Sequence, residues 1–445
     1  MDRRGFLQGT AAAAWMLGCR PDEPDQDHSE PPLAAPEPAL GDRPAASPTP
    51  ERVTPDPIAE LDAEFPEWTL GEDSSSPDTV LMFRGDPSHT FQGTGPLREQ
   101  PELAWRSKLG ESRGRRSDGS LYHWLGTGWT GQAVLWGRRV FIGALDGKLH
   151  CFDTQTGATI WVYESGGLFK GSCCFYRGRL YAGNVDNRIR CIDARDGSLV
   201  WNWYNPRDCD SSPCVVAGKL YIGGEDGRLK CFDPATGDLH WQLALGEGKR
   251  AQPGSGGIES SPALADGEVF VGHYDGYLLC ADASTGVERW RAATGADTDA
   301  SPVIVGDRVY IAAQTESPYL RCFDRSASGA LVWEFANKRG FWATPALAGG
   351  RVYIGGHDGV MYCLDASSGR VIWTFAAGGP IWSSACVVDG KVLFGSHDPY
   401  LRMLDASSGA ELWRYEMGAR TLSTACVVGG RIYLGSGNGW FHCFA

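Results

Sequence analysis

The stretch Phe232-Asp233-Pro234-Ala235-Thr236-Gly237-Asp238-Leu239-His240-Trp241 decides the fold, because its pattern recurs at a nearly constant period along the chain. An apolar segment ends at Phe232, a Gly-containing turn follows, and a second apolar segment carries Trp241, which is the pattern of two strands joined by a hairpin. Tryptophans that match Trp241 are spaced by 40 to 49 residues and are Trp161, Trp201, Trp290, Trp333, Trp373 and Trp413, with an eighth, Trp105, upstream. Such a period indicates one supersecondary unit per repeat.

One repeat, residues 211–245, shows what that unit is. Apolar segments at 214–216, 219–223, 228–232 and 239–243 alternate with Gly- and Asp-rich turns, which predicts a four-stranded antiparallel meander. Seven complete units occupy residues 129–417, and the eighth, 423–445, stops after three strands. Residues 102–109 carry Trp105 and can supply the missing outer strand. The sequence therefore predicts an all-β fold over residues 81–445: an eight-bladed β-propeller of four-stranded antiparallel blades, with the last blade closed by an N-terminal strand.

The formal net charge of -13 is concentrated in one segment that precedes the repeats. Residues 20–80 contain sixteen acidic and three basic residues and thirteen of the 26 prolines. This composition predicts an acidic, Pro-rich, disordered linker. The rest of the chain is close to neutral, which argues against a nucleic-acid partner.

Residues 1–19 are predicted to be an export signal. Asp2-Arg3-Arg4-Gly5-Phe6-Leu7-Gln8 resembles the twin-arginine motif, and a short apolar stretch follows it. Met16-Leu17-Gly18-Cys19 resembles a lipobox, in which Cys19 becomes the lipidated first residue, and ordinary cleavage is the alternative. The chain is thus expected on the periplasmic side, anchored to the inner or outer membrane through Cys19.

Eleven of the 14 cysteines recur at two positions of the repeat. Periodic placement predicts packing residues rather than disulfides or metal ligands, because a free cysteine behaves as a small apolar side chain and no pair has zinc spacing. His357 and His397 also match between neighbouring repeats, and they are interpreted as turn residues.

The segments FDTQTGATIW (152–161), FDPATGDLHW (232–241), LDASSGRVIW (364–373) and LDASSGAELW (404–413) resemble the repeat of quinoprotein dehydrogenases and of the BamB-type propeller lipoproteins. The resemblance covers about residues 80–445 and implies the propeller fold. It is shared by enzymes and by scaffolds, so it is less specific for function. The chain length and the lipobox resemble the BamB-type scaffold more than the longer dehydrogenases.

The loops between blades and the loops between second and third strands open on one face of a propeller, which is the default binding face. One residue per repeat marks that face, and the side chains differ from blade to blade: Trp129, Lys170, Asp210, Glu259, Asp299, Trp342, Trp382 and Leu422. Two long loops are expected to overhang it and contribute Arg113, Arg115, Arg116, Lys249 and Arg250. The face thus combines an acidic arc with an arc of tryptophans.

The resemblance to quinoprotein alcohol dehydrogenases implies a second set of residues. There, the adjacent pair Cys173-Cys174 would form a disulfide over pyrroloquinoline quinone (PQQ), Glu225 would bind calcium and Asp299 would be the catalytic carboxylate. His273 stands where the family has Asn, which departs from the oxygen ligands that calcium prefers.

Two main functions remain open on this sequence. The leading hypothesis is a non-catalytic, monomeric, BamB-like scaffold that binds an envelope protein through this face and holds no cofactor. The alternative is a compact alcohol or sugar dehydrogenase that uses PQQ and calcium. A sensor of a small ligand or polysaccharide is a third possibility.

Overall fold

Eight four-stranded antiparallel sheets surround one channel in the computed structural model, which describes residues 51–52, 79–115, 121–127, 131–246, 257–295, 297–314 and 317–445. Each sheet is a blade whose strands a, b, c and d run in that order from the channel outward. We call the face with the a–b and c–d hairpins the lower face, and the opposite one the upper face. No helix in these ranges has the length and apolar character needed to cross a membrane.

The strands of blades 1 to 4, in the order a to d, are Val134–Trp136, Arg139–Gly143, Lys148–Asp153 and Thr159–Glu164; Cys174–Tyr176, Arg179–Asn184, Arg188–Asp193 and Leu199–Tyr204; Cys214–Val216, Lys219–Gly224, Arg228–Phe232 and Leu239–Ala244; and Ala263–Ala265, Glu268–His273, Tyr277–Asp282 and Glu288–Ala293. Those of blades 5 to 8 are Val303–Val305, Arg308–Ala312, Leu320–Asp324 and Ala330–Phe335; Ala346–Ala348, Arg351–Gly355, Val360–Asp365 and Val371–Ala376; Cys386–Val388, Lys391–Gly395, Tyr400–Asp405 and Glu411–Glu416; and Cys426–Val428, Arg431–Gly435, Trp440–Phe444 and Leu103–Lys108.

Blade 8 combines both parts of the chain, as predicted. Its outer strand Leu103–Lys108 pairs antiparallel with Trp440–Phe444, with Trp105 opposite Cys443. The eight-bladed fold with an N-terminal closing strand is therefore confirmed.

Three further strands lie outside the blades. Glu51–Arg52, within the segment predicted as a linker, pairs antiparallel with Leu199–Tyr204 of blade 2. Glu111–Arg115 and Leu121–Leu125 lie in the chain between blades 8 and 1. The propeller belongs to a compact unit of Arg43–Ser112 and His123–Ala445. The predicted signal, Cys19 and the linker apart from residues 51–52 and 79–80 lie outside the described residues.

The repeated tryptophan joins neighbouring blades. Trp201 of blade 2 donates a hydrogen bond from Nε1 to the Pro234 carbonyl in the c–d hairpin of blade 3, at 3.0 Å. Its ring covers Gly237 of that hairpin, where φ is +74° and a Cβ would lie 2.8 Å from Trp201 Cδ2. Glycine is therefore required there both by the backbone conformation and by the neighbouring indole. The Trp of one repeat and the Gly of the next repeat thus form a single contact between neighbouring blades.

A chain of hydroxyl groups gives a second link between blades. The backbone N–H before strand a of each blade from 1 to 6 donates to the side-chain hydroxyl at the same position of the next blade, at 2.9 to 3.0 Å. The residues in this chain are Gln132, Ser172, Ser212, Ser261, Ser301, Thr344 and Ser384. The equivalent hydroxyl of blade 8, Thr424 Oγ1, forms no hydrogen bond within the described residues. The chain therefore ends between blades 7 and 8.

Residues 79–97 cross the lower part of the channel and contact strands or hairpins of several blades. Val80 bridges to Leu135 of blade 1, and the carbonyls of Pro87 and Ser88 accept from Leu264 and Ile304 of blades 4 and 5. This segment, which we call the plug, carries no part of the repeat.

Arg84 of the plug lies inside the channel. Its Nη1 and Nη2 donate to the carbonyls of Ala385 at 2.5 Å and Pro345 at 2.7 Å, and its own N–H donates to Gln132 Oε1 at 2.7 Å. Burial lowers the pKa of Arg84 to about 10, which leaves the guanidinium charged at neutral pH. The plug thus satisfies backbone carbonyl and N–H groups of several blades.

The thirteen cysteines among the described residues are all buried free thiols. Desolvation by burial raises the pKa of the Cys191 thiol to about 12, so this thiol stays protonated and weakly reactive. The prediction that the periodic cysteines are packing residues is confirmed.

Candidate functional site

The upper face places an ion pair at the channel mouth. Lys170 precedes strand a of blade 2 and Asp210 precedes strand a of blade 3, so they are neighbours around the ring. Lys170 Nζ lies 2.6 Å from Asp210 Oδ2, and the two side chains are only 4% and 3% exposed. Two of the residues predicted for this face thus form a charged hydrogen bond that is shielded from water.

Two more carboxylates join Asp210. Glu225 comes from the loop between strands b and c of blade 3, and Glu259 from the connection between blades 3 and 4. One ligand atom from each of Asp210, Glu225 and Glu259 lies within 4.8 Å of the others, and no other group of three or more potential metal ligands of this kind occurs among the described residues. We call these three residues the acid group.

Asp299 and His273 lie outside the acid group. The Asp299 carboxylate accepts a hydrogen bond from Gln314 Nε2. His273 stacks on Tyr277 with ring centroids 4.9 Å apart, and its Nδ1 accepts the Asp275 N–H at 3.0 Å. Burial lowers the pKa of His273 to about 4, so the ring is neutral at pH 7. The set Glu225, His273 and Asp299 is therefore not assembled as one metal site in the described part of the chain.

Cys173 and Cys174 are both free thiols. Both side chains are buried, and burial raises the pKa of Cys173 well above its usual value. Cys174 begins strand a of blade 2, and the pair packs in the hydrophobic core with Phe175. The structure thus places the pair in a packing environment, without the disulfide that the dehydrogenase resemblance implies.

The opposite side of the mouth is aromatic. Trp342 and Trp382, at equivalent positions before blades 6 and 7, are both half-buried, and their ring centroids lie 4.0 Å apart at an interplanar angle of 76°. His397 packs edge-on against Trp382 at 4.1 Å, and His357 against Trp342 at 5.2 Å. We call these four residues the aromatic corner. Sequence reasoning found the two tryptophans but interpreted the histidines only as turn residues.

His397 of the aromatic corner is uncharged at neutral pH. Desolvation, with a further contribution from Arg420, lowers its pKa to about 4. The corner therefore offers flat, largely apolar surfaces without a histidine charge at this position. Two indoles at nearly a right angle can hold an apolar or aromatic side chain from both sides, because such rings associate edge-on or offset.

Of the remaining residues predicted for this face, only the side chain of Leu422 is described. Leu422 is buried beneath the mouth. Arg113 and Arg115 lie in the strand Glu111–Arg115, whose side chains beyond Glu111 are outside the described residues, and Trp129, Arg116, Lys249 and Arg250 are outside them as well.

A calcium-bound quinone does not fit the residues that the dehydrogenase resemblance assigns to it. The acid group has hard oxygen donors, which suit calcium. However, Lys170 already places a positive charge against Asp210, and neither His273 nor Asp299 belongs to the group. The geometry at the mouth supports binding through aromatic and charged surfaces.

Comparisons with known proteins agree with this architecture. The model of a protein family described as "Outer membrane protein assembly factor BamB" matches residues 98–327 and 316–441. No curated protein matches the sequence.

Solved structures share the fold at low identity. A quinohemoprotein alcohol dehydrogenase from Comamonas testosteroni has a TM-score of 0.69 at 15% identity, over 87% of this chain and 84% of that chain. A europium-containing methanol dehydrogenase has a TM-score of 0.66 at 14% identity, over 83% and 98%. BamB from Moraxella catarrhalis has a TM-score of 0.51 at 19% identity, over 77% and 97%. At these identities the likeness shows the fold alone, and it includes both alcohol dehydrogenases and BamB.

Proposed function

Because this chain belongs to the family described as outer membrane protein assembly factor BamB, we propose that it is a non-catalytic envelope scaffold that binds a protein partner at its upper face. The partner is a component of outer-membrane protein assembly, as the family description implies. The propeller is exported, acts on the periplasmic side and is held at a membrane through Cys19.

The observation that carries this proposal is the aromatic corner. Trp342 and Trp382 are half-buried at the channel mouth and pack against each other at right angles. Tryptophan is enriched among the residues that contribute most to protein–protein binding, because it buries a large area with little loss of side-chain freedom. A corner of two indoles next to a polar rim has the composition of an interface centre.

The acidic side of the mouth can fix the orientation of a bound partner. Asp299 and the acid group lie before or within blades 3 to 5, whereas the aromatic corner lies at blades 6 and 7. A partner that places an apolar side chain at the corner and basic side chains near the half-buried Glu259 and Asp299 would match both halves, since complementary charge sets orientation.

Co-purification from detergent-solubilised envelopes tests the proposal. The double variant Trp342→Ala/Trp382→Ala should lose a partner that the native protein recovers. Leu331→Ala/Ile372→Ala is the matched control, because both of these side chains are exposed on outer strands far from the mouth. Equal recovery of the partner by both double variants would contradict an upper-face interface.

A PQQ-dependent alcohol or sugar dehydrogenase is the alternative function: Glu225 belongs to the acid group, but Lys170 against Asp210 and the position of Asp299 outside that group disfavour it. Incubating the purified protein with PQQ and calcium tests it directly. A bound chromophore together with dye-linked oxidation of an alcohol would support the enzyme, and the absence of both would leave the scaffold function as the better account.

A further inference from the structure

We propose that the ammonium group of Lys170 is the resident cation of the acid group, in the place that a divalent metal ion would otherwise take. The acid group has the donor type and the spacing of a metal site, because three carboxylates from three different loops lie within 4.8 Å of one another. Ionised carboxylates that gather in a buried region lose water and repel one another, and a neighbouring positive charge offsets both costs. The question is what supplies that charge.

Lys170 supplies it from the neighbouring blade. Its Nζ contacts Asp210 Oδ2 at 2.6 Å, and neither side chain is more than 4% exposed. Lys170 is also the only basic residue among the eight equivalent positions before strand a, and it stands directly before Asp210 in the order of blades. The one lysine at these positions is thus placed next to the acid group, where acidic side chains from three loops meet.

The lysine and a metal ion are mutually exclusive at this position. An ammonium 2.6 Å from Asp210 engages one of the oxygens that a calcium ion would need. It would also repel a divalent cation bound to the same carboxylates, and this repulsion is strong where water is excluded. The native acid group is therefore expected not to bind calcium, whereas the same carboxylates without the lysine should.

Calcium titration by calorimetry tests this inference. We expect no calcium uptake at the acid group of the native protein. Lys170→Met keeps the length of the side chain and removes its charge, and it should bind one calcium ion with a dissociation constant of about 1 mM or tighter. Lys170→Met/Glu225→Gln is the matched control and should lose at least tenfold of that affinity. Terbium luminescence gives a second readout of the same site.

Three results would overturn the inference: one calcium ion bound by the native protein and lost in Glu225→Gln, a folded Lys170→Met variant that binds none, or binding that Glu225→Gln leaves unchanged. If Lys170→Met fails to fold in buffer alone, it is refolded with calcium. Recovery that requires calcium supports the inference, and failure with calcium contradicts it. These outcomes concern only the cation, so they are independent of partner binding at the aromatic corner.

Discussion

Replacing Thr344 by Val should weaken the propeller, whereas the same replacement of Thr424 should not. Both threonines stand at the same position of the repeat and both are buried. Thr344 Oγ1 accepts the N–H of Ser301 from the preceding blade at 3.0 Å. Thr424 Oγ1 forms no hydrogen bond in the described part of the chain. Val has nearly the shape of Thr, so the pair of variants isolates the hydroxyl from the packing.

The expected change in the free energy of unfolding depends on which buried polar groups each replacement leaves without a partner. Thr344→Val removes a hydrogen bond and leaves the Ser301 N–H buried without an acceptor, which costs about 1 to 3 kcal/mol of unfolding free energy. Thr424→Val removes a buried hydroxyl that has no partner, and burying such a group is itself unfavourable. We therefore expect Thr424→Val to change the free energy of unfolding by less than about 0.5 kcal/mol, or to raise it.

Urea unfolding followed by tryptophan fluorescence measures both changes. We expect a lower midpoint for Thr344→Val at an unchanged slope, and a native-like midpoint for Thr424→Val. Equal destabilisation by the two replacements would refute the claim that inter-blade hydroxyl bonds stabilise the ring. A larger effect of Thr424→Val would place the important contact at the seam between blades 7 and 8 instead.

Two further outcomes follow from buried charged or ionisable groups. Arg84→Met should lower the unfolding free energy by about 3 kcal/mol, because the carbonyls of Pro345 and Ala385 lose their donor, whereas exposed Arg98→Met should have no effect in the same urea assay. Burial lowers the pKa of His442 to about 4. The contribution of its neutral ring to the free energy of unfolding is therefore complete above pH 6.5 and is lost as the pH falls towards 4. Between pH 7 and pH 4.5, the free energy of unfolding should fall by about 2 kcal/mol less in His442→Phe than in the native protein. An equal fall in both proteins would contradict this.

The repeat could be predicted from sequence because its recurring residues contact one another between neighbouring blades. Trp201 must cover a glycine of the next blade, so Trp and Gly recur together and mark the period. The serine or threonine before strand a recurs for a similar reason, since its hydroxyl accepts a bond from the preceding blade. Its regular spacing was visible, but the identity of its donor was not, because that donor lies on a different blade.

The plug and the acid group could not be predicted in the same way. Arg84 stands in a segment without repeat or periodicity, and nothing in its neighbours indicates that its guanidinium is buried in the channel. Glu225 belongs to a different loop type from Asp210 and Glu259, so aligning the repeats does not bring the three together. Likewise, the histidines of the aromatic corner match each other in sequence, but their contact with Trp342 and Trp382 arises where the b–c loop of each blade packs against the connection that precedes the same blade.

Site-specific photo-cross-linking in intact cells tests most directly whether the upper face is the interface. A photoreactive phenylalanine derivative replaces either Trp382 at the mouth or Ile372 on the exposed outer strand of the same region. We expect a discrete adduct from position 382 to an outer-membrane assembly protein, identified by mass spectrometry, and no such adduct from position 372. An adduct from position 372 with none from 382 would contradict it and move the interface to the outer wall.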